Sequence, residues 1–293
     1  MEANDLIITG SSGFLGQSLL TAARTMFPQA RLWPVASARH GGIDLTRPDA
    51  VGQMSSRIQP QNPGRSMLIH AAAVVEWNSR AALLDNAAMA LNAAEWARQT
   101  GIGFSVLVSS VSVYPAAPSC DDQTPCQPSN LYGAGKLAAE HAWRLVLPPD
   151  RSAVVRLAGI YGWQTRPTLF WNTLLLAAAG LLPEERPVVR RAQSRRNYLS
   201  AREASACLLQ VGAERLPGAH LAAGRDTVDT AGWVTALEAL RGCKLPIEWQ
   251  DDGLPDEQIF QPSQVLLPAL GGLCKELALL WEQRPQASGA ARA

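Results

Sequence analysis

Tyr132-Gly133-Ala134-Gly135-Lys136 sets a phenol and an ammonium four residues apart. On a helix, positions i and i+4 share one face, so both groups can point into the same cleft. A free tyrosine has a pKa of about 10, too high for a general base at neutral pH. A neighbouring cation favours the phenolate, so Lys136 is expected to lower it. Tyr132 could then exchange a proton with a substrate hydroxyl or ketone while a hydride passes to or from a carrier. Ser110 lies 22 residues upstream, at the carboxyl end of an apolar strand-like run. Open α/β sheets bind ligands at that end, and the serine hydroxyl could hold the same substrate oxygen in line. Ser110, Tyr132 and Lys136 are the expected catalytic residues.

A hydride carrier needs a site of its own. Thr9-Gly10-Ser11-Ser12-Gly13-Phe14-Leu15-Gly16 falls between a short apolar run, Leu6-Ile7-Ile8, and an amphipathic helix. Backbone amides and a helix N-terminus in that position can hold a pyrophosphate. The glycines serve a tight turn, a close approach to phosphate and close packing of helix on strand. Gly10, Ser12, Gly13, Phe14, Leu15 and Gly16 are the expected contacts. Farther along, Val35-Ala36-Ser37-Ala38-Arg39-His40 ends the second strand with no acidic residue to grip a ribose 2′-hydroxyl. Ser37 and Arg39 suit a 2′-phosphate instead, so NADP is the expected cofactor, with NAD as the alternative.

The elements that must carry these groups can be read from periodicity. Strands are expected at 6–8, 32–36, 67–71, 104–109 and 153–157, although Pro34 is awkward in an interior strand. Helices are expected at 14–27, 81–99 (stopping at Gly101), 132–147, 168–179, 201–211 and 230–240. Repeated strand–helix alternation implies a Rossmann-type, doubly wound parallel sheet, an α/β fold. After Gly162 the rhythm weakens into a Trp-, Pro- and Arg-rich, mostly helical region. Residues 1–162 are the expected dinucleotide domain, with 193–224 returning to it. Residues 163–192 and 225–284 form a smaller substrate region, and 285–293 a frayed tail.

Composition narrows the class. The chain has 293 residues, 47% hydrophobic and 17% charged, enough for a sizeable core. Its 26 Lys+Arg against 25 Asp+Glu give a net charge of +1, no basis for nucleic-acid or membrane-surface binding. No apolar run is expected to span a membrane, and the acidic start does not resemble a signal peptide. Five scattered cysteines without CxxC spacing fit reduced cytoplasmic thiols and no metal site.

The GxxGxxG loop and the YxxxK pair resemble the extended branch of the short-chain dehydrogenase/reductase superfamily, the NAD(P)-dependent epimerase/dehydratase family. Further motifs extend the resemblance over about residues 5–240. They are Asp44-Leu45, His70-Ala71-Ala72-Ala73, Asn86 and Asn92, Ser109-Ser110-Val111-Ser112-Val113-Tyr114, and Arg156 through Gly162. The resemblance implies adenine contacts at Asp44 and Leu45, a cofactor floor at Ala71, Ala72 and Ala73, and a cofactor contact at Asn86. It also implies a homodimer through the helices at 81–99 and 132–147. The family's dehydratases carry an Asp-Glu pair where this chain has Val111 and Ser112, which disfavours elimination. Its 3,5-epimerising reductases carry a cysteine where Ser112 stands, so that chemistry is disfavoured too, and Ser112 is left as a substrate contact. Gly159 replaces a common asparagine and weakens the case for a nucleotide diphosphate. Arg196-Asn197-Tyr198 through Glu203 resembles a segment closing over substrate. Arg196 is therefore singled out from the cluster Arg186, Arg190, Arg191, Arg195 and Arg196, which otherwise reads as a solvated face. Trp163 is a candidate pocket wall. The implied activity is keto-reduction of a sugar nucleotide or related small molecule. The alternatives are epimerisation by transient oxidation, or a non-catalytic NADP sensor.

Overall fold

The computed structural model describes residues 4–163, 170–181, 187–250 and 257–285. Its centre is a six-stranded parallel sheet. In chain order the strands are β1 (Asp5–Thr9), β2 (Arg31–Val35), β3 (Met67–His70), β4 (Phe104–Ser110), β5 (Ser152–Leu157) and β6 (Gly218–Ala222). They lie side by side as β6-β5-β4-β3-β1-β2. Every residue of β1, β3, β4 and β5 is buried, because helices cover both faces. Leu6 and Ile8 of β1 face one core and Ile7 the other, the alternation that a pleated strand imposes. Pro34 is accommodated because β2 is an edge strand, where a missing N–H breaks no interior ladder.

One face is covered by α1 (Phe14–Met26) and α6 (Ala201–Ala213), the other by α2 (Ala50–Arg57), α3 (Arg80–Thr100) and α4 (Leu131–Val146). Ser79 caps α3 by accepting from Ala82 N–H. The helix stops at Gly101, whose φ of +77° suits glycine. Asn130 caps α4 through Gly133 N–H. The strand order reverses at β1, between β2 and β3, which opens the ligand crevice at the carboxyl ends of β1 and β3.

Beyond β5 the chain adds α5 (Phe170–Ala178), α7 (Thr230–Arg241) and α8 (Leu273–Glu282). Residues 168 and 169 of the expected 168–179 helix lie outside the described residues. These helices share an aromatic core in which Trp233 packs edge-on against Tyr161 (4.8 Å) and stacks on Trp171 (5.0 Å). Residues 228–229, 195–196, 257–260 and 119–120 form a small four-stranded sheet beside it.

One stretch, Gln264–Glu282, is long and apolar enough to cross a membrane, at 19 residues and mean hydropathy 1.3, where the sequence suggests none. It is two elements, a 3-10 segment (Gln264–Ala269) and α8, with Glu276 buried near its middle.

Candidate active site

Ser110 ends β4 and caps the 3-10 turn Val111–Val113: its hydroxyl accepts from Ser112 N–H and donates to the Ser112 hydroxyl, both at 3.1 Å. Tyr132 stands in the first turn of α4, its N–H donating to the Trp77 carbonyl at 3.1 Å. One turn on, the buried Lys136 ammonium donates to the Val108 carbonyl of β4 at 2.6 Å. The glycines between them let α4 come this close. A Cβ on Gly133 would sit 2.1 Å from the Ser112 carbonyl oxygen, and one on Gly135 2.1 Å from that of Ala82 in α3.

The electrostatics depart from expectation at the phenol. Burial raises the Tyr132 pKa, and the opposing pull is a hydrogen bond with Ser110. The Lys136 ammonium is engaged with the Val108 carbonyl. Burial lowers Lys136 itself to about 8, against the pull of Glu140. Behind it, His70 hydrogen-bonds Thr9 Oγ1 at 2.8 Å and stacks on Trp143. Burial, reinforced by Lys136, lowers His70 to about 3 and keeps it neutral.

Sequence reasoning missed Glu140. It lies four residues beyond Lys136 on the same helix face, a spacing that could have signalled it. Its carboxylate accepts from Ser109 Oγ (2.6 Å), Arg144 (2.9 Å) and, in a fork, Arg156 Nε (3.0 Å) and Nη2 (2.8 Å). Burial pushes against ionisation, but these bonds, led by Arg156, hold the carboxyl below its usual range. Arg156 Nη1 also donates to the Tyr114 hydroxyl at 3.0 Å. The network ties α4, β4 and β5 together directly beneath Ser110 and Lys136.

At the other end of the crevice, Gly10 adopts φ +70°, and a Cβ there would lie 2.6 Å from Ala72 N. A Cβ on Gly16 would lie 2.2 Å from the Gly10 carbonyl oxygen. Gly13 caps α1 with no side-chain hydrogen bond. The half-buried Phe14 lies against Gly162, and Leu15 packs on the core, so both side chains serve packing. Ala71 N–H donates to the Thr9 carbonyl, while Ala73 is exposed. Ser12 Oγ accepts from Ser37 N–H at 3.5 Å, and Ser37 Oγ pairs with His40 Nδ1 at 3.0 Å. Arg39 and His40 are exposed on the short turn that follows. This cradle fits a dinucleotide: close backbone packing at Gly10 and Gly16 sets a tight loop at the N-terminus of α1, and a cationic turn with no carboxylate ends β2.

Other expected contacts are committed to the protein itself. Asp44 accepts from both Thr46 N–H and Oγ1, which hold its carboxyl below the usual range. Leu45 is buried, and Asn92 donates to its carbonyl at 2.9 Å. Asn86 bonds Val74 N–H and C=O, both at 3.0 Å, and the Ala82 carbonyl at 2.7 Å. Of the arginine cluster, Arg186 lies outside the described residues, and Arg195 pairs with Glu257 at 3.0 Å. Arg196 is partly buried and donates to the Arg195 carbonyl on their short strand. The buried Asn197 brackets Phe260 and reaches the Gly224 carbonyl. Glu203 forms a capping box with Ser200. Trp163 donates to the Leu280 carbonyl and lines a groove of about 810 Å³ between α1 and α8, whose walls include Ser12 and Gly13. Ser110, Tyr132 and Lys136 do not line that groove.

Solved structures share this fold. A dTDP-4-dehydrorhamnose reductase from Bacillus anthracis, in complex with NADP, is 19% identical, covering 97% of this chain and 99% of its own at TM-score 0.77. One from Clostridium acetobutylicum is 16% identical, covering 95% and 99% at TM-score 0.75. A Thermus thermophilus UDP-glucose 4-epimerase, in complex with NAD, is 17% identical, covering 95% and 98% at TM-score 0.73. No curated protein matches the sequence. The family model for NAD dependent epimerases and dehydratases matches residues 6–223, and the chain belongs to that family of NAD(P)-dependent oxidoreductases and epimerases.

Proposed function

We propose that the protein is an NADP-preferring keto-reductase acting on a ketone or secondary alcohol of a sugar nucleotide or related small molecule. What supports this reading is that Tyr132 and Lys136, one turn apart on α4, both meet β4: Tyr132 hydrogen-bonds Ser110 at its end, and Lys136 the carbonyl of Val108 within it. Bound there, the nicotinamide cofactor supplies or takes up the hydride. Gly10, Gly13 and Gly16 would admit its pyrophosphate against the start of α1, and Ser37 and Arg39 a 2′-phosphate. In reduction, Tyr132 gives its proton to the substrate carbonyl oxygen, which Ser110 holds in line. Burial favours the protonated phenol, the form that reduction requires. Lys136 would restore the proton and favour the phenolate in the reverse direction.

An epimerase is the second reading: with a bound oxidised nicotinamide to take up and return the hydride, the same three groups, with no further base, would serve to oxidise one carbon, let the keto intermediate rotate and re-reduce its other face. In either case residues 1–162 with 193–224 hold the cofactor, while 163–192 and 225–284 meet the substrate, joined by Arg196 from the returning segment. The exposed Leu84 and Leu91 of α3 and Leu145 of α4 support a homodimer through those helices. The cysteine usage supports a cytoplasmic site.

The test incubates the protein with NADPH and a panel of keto-sugar nucleotides and simple ketones, following cofactor absorbance and product isomers together. Cofactor consumption, reduced by a factor of about 10² to 10⁴ in Tyr132→Phe, is the expected outcome. Isomerisation without net consumption would establish the epimerase instead. NADPH binding with no turnover anywhere, and Tyr132→Phe indistinguishable from wild type, would leave a sensor.

A further inference from the structure

We infer that Trp77 is a wall of the catalytic cleft and stacks on the sugar ring of a nucleotide-sugar substrate, positioning it against Tyr132; this inference rests on the function proposed above. Residues 74–79 form a strap between β3 and α3 whose backbone is held at three points. Asn86 brackets Val74 through both its N–H and C=O at 3.0 Å, and Ser79 accepts from Ala82 N–H at 2.9 Å. The Trp77 carbonyl accepts from Tyr132 N–H at 3.1 Å, so the strap is tied to the turn of α4 that carries the phenol.

On this fixed backbone Val75 and Trp77 are 59% and 58% exposed. A large apolar side chain held rigidly in water gains nothing from burial until something covers it. The Trp77 and Tyr132 rings lie 6.3 Å apart, inclined at 55°, so indole and phenol border one space. A substrate oxygen within hydrogen-bonding reach of the phenol brings the ring that bears it alongside the indole. The indole face suits the C–H face of a pyranose, a planar apolar surface meeting an alicyclic one. The neighbouring Glu76 and Asn78, both exposed, supply polar groups for its hydroxyls.

The experiment titrates UDP-glucose and, separately, UDP into the NADP-saturated full-length protein by calorimetry. It compares wild type with Trp77→Ala and Trp77→Phe, and measures NADPH affinity and oligomeric state for each. UDP-glucose should bind wild type more tightly than UDP. Trp77→Ala should weaken UDP-glucose about three- to tenfold while leaving UDP and NADPH unchanged, and Trp77→Phe should retain most of the affinity. Equal binding of UDP and UDP-glucose by wild type, or unchanged UDP-glucose binding by Trp77→Ala, would overturn the inference. So would an equal loss of NADPH affinity, which would assign the indole to the cofactor. Dissociation of a dimer with UDP-glucose affinity intact would also overturn it, assigning Trp77 to an interface between copies. Failure of wild type to bind NADPH would instead remove the proposed function, and this inference with it.

Discussion

Beneath Ser110 and Lys136, the charged groups end on partners inside the protein, whereas the glycine loop carries no charged side chain and the turn after β2 leaves Arg39 and His40 facing outward. Glu140 receives bonds from three side chains, and Lys136 is spent on a strand carbonyl. Gly13 has no capping side chain, and Arg39 and His40 stand exposed. One end is built by filling space with paired charges, the other by glycines whose missing side chains let the backbone fold tightly against the start of α1. The first should therefore respond to substitution mainly in stability, the second mainly in cofactor affinity.

The largest effect expected is at Glu140. Glu140→Gln leaves the Arg156 guanidinium buried without its carboxylate, costing about 3–5 kcal/mol, read as a lower urea midpoint. Pairing it with Arg156→Met should recover part of that loss, because no buried charge is then left alone.

Lys136 sharpens the same point through pH. Burial lowers its pKa from 10.5 to about 8, so between those values the unfolded chain binds more protons than the folded one. Stability from this group therefore rises with pH across that window and is lost again as pH falls through the folded value. The span corresponds to about 3 kcal/mol, and Lys136→Met should flatten that part of the stability profile.

Glycines test the other end. Gly16→Ala drives a Cβ into the Gly10 carbonyl and should cost about 1–3 kcal/mol together with most of the NADPH affinity. Gly52, on an exposed face of α2 with nothing within 4 Å, is the control: its alanine variant should gain about 0.4–1 kcal/mol and bind NADPH as wild type. Retained NADPH binding by Gly16→Ala would break the comparison.

The smallest effect is the most specific. Arg39→Ala should weaken NADPH about tenfold through a lost charge-assisted bond, with NADH unaffected. An equal change for both cofactors would mean that Arg39 meets no 2′-phosphate.

What was legible in the sequence was local. The run Leu6-Ile7-Ile8, the glycines after it and the periodic helices α1, α3 and α4 carry their signals within a few residues. The short α2, the edge strand β6 and α8 do not. Gly218-Ala219-His220-Leu221-Ala222 holds no β-branched residue, and it is a strand because β5 offers it a ladder. Asn86 shows the same limit within the site, since its amide bonds Val74 and Ala82.

The sequence by itself determined the spacing of phenol and ammonium and the backbone freedom at Gly10, because helical geometry and the lack of a Cβ are local properties. Only the tertiary structure decided how those groups behave. Burial, not the lysine, dominates the Tyr132 phenol, the Val108 carbonyl captures Lys136, and the strap after β3 brings Trp77 beside the phenol. Desolvation and long-range contacts are set by residues distant in the chain, so no local pattern carries them.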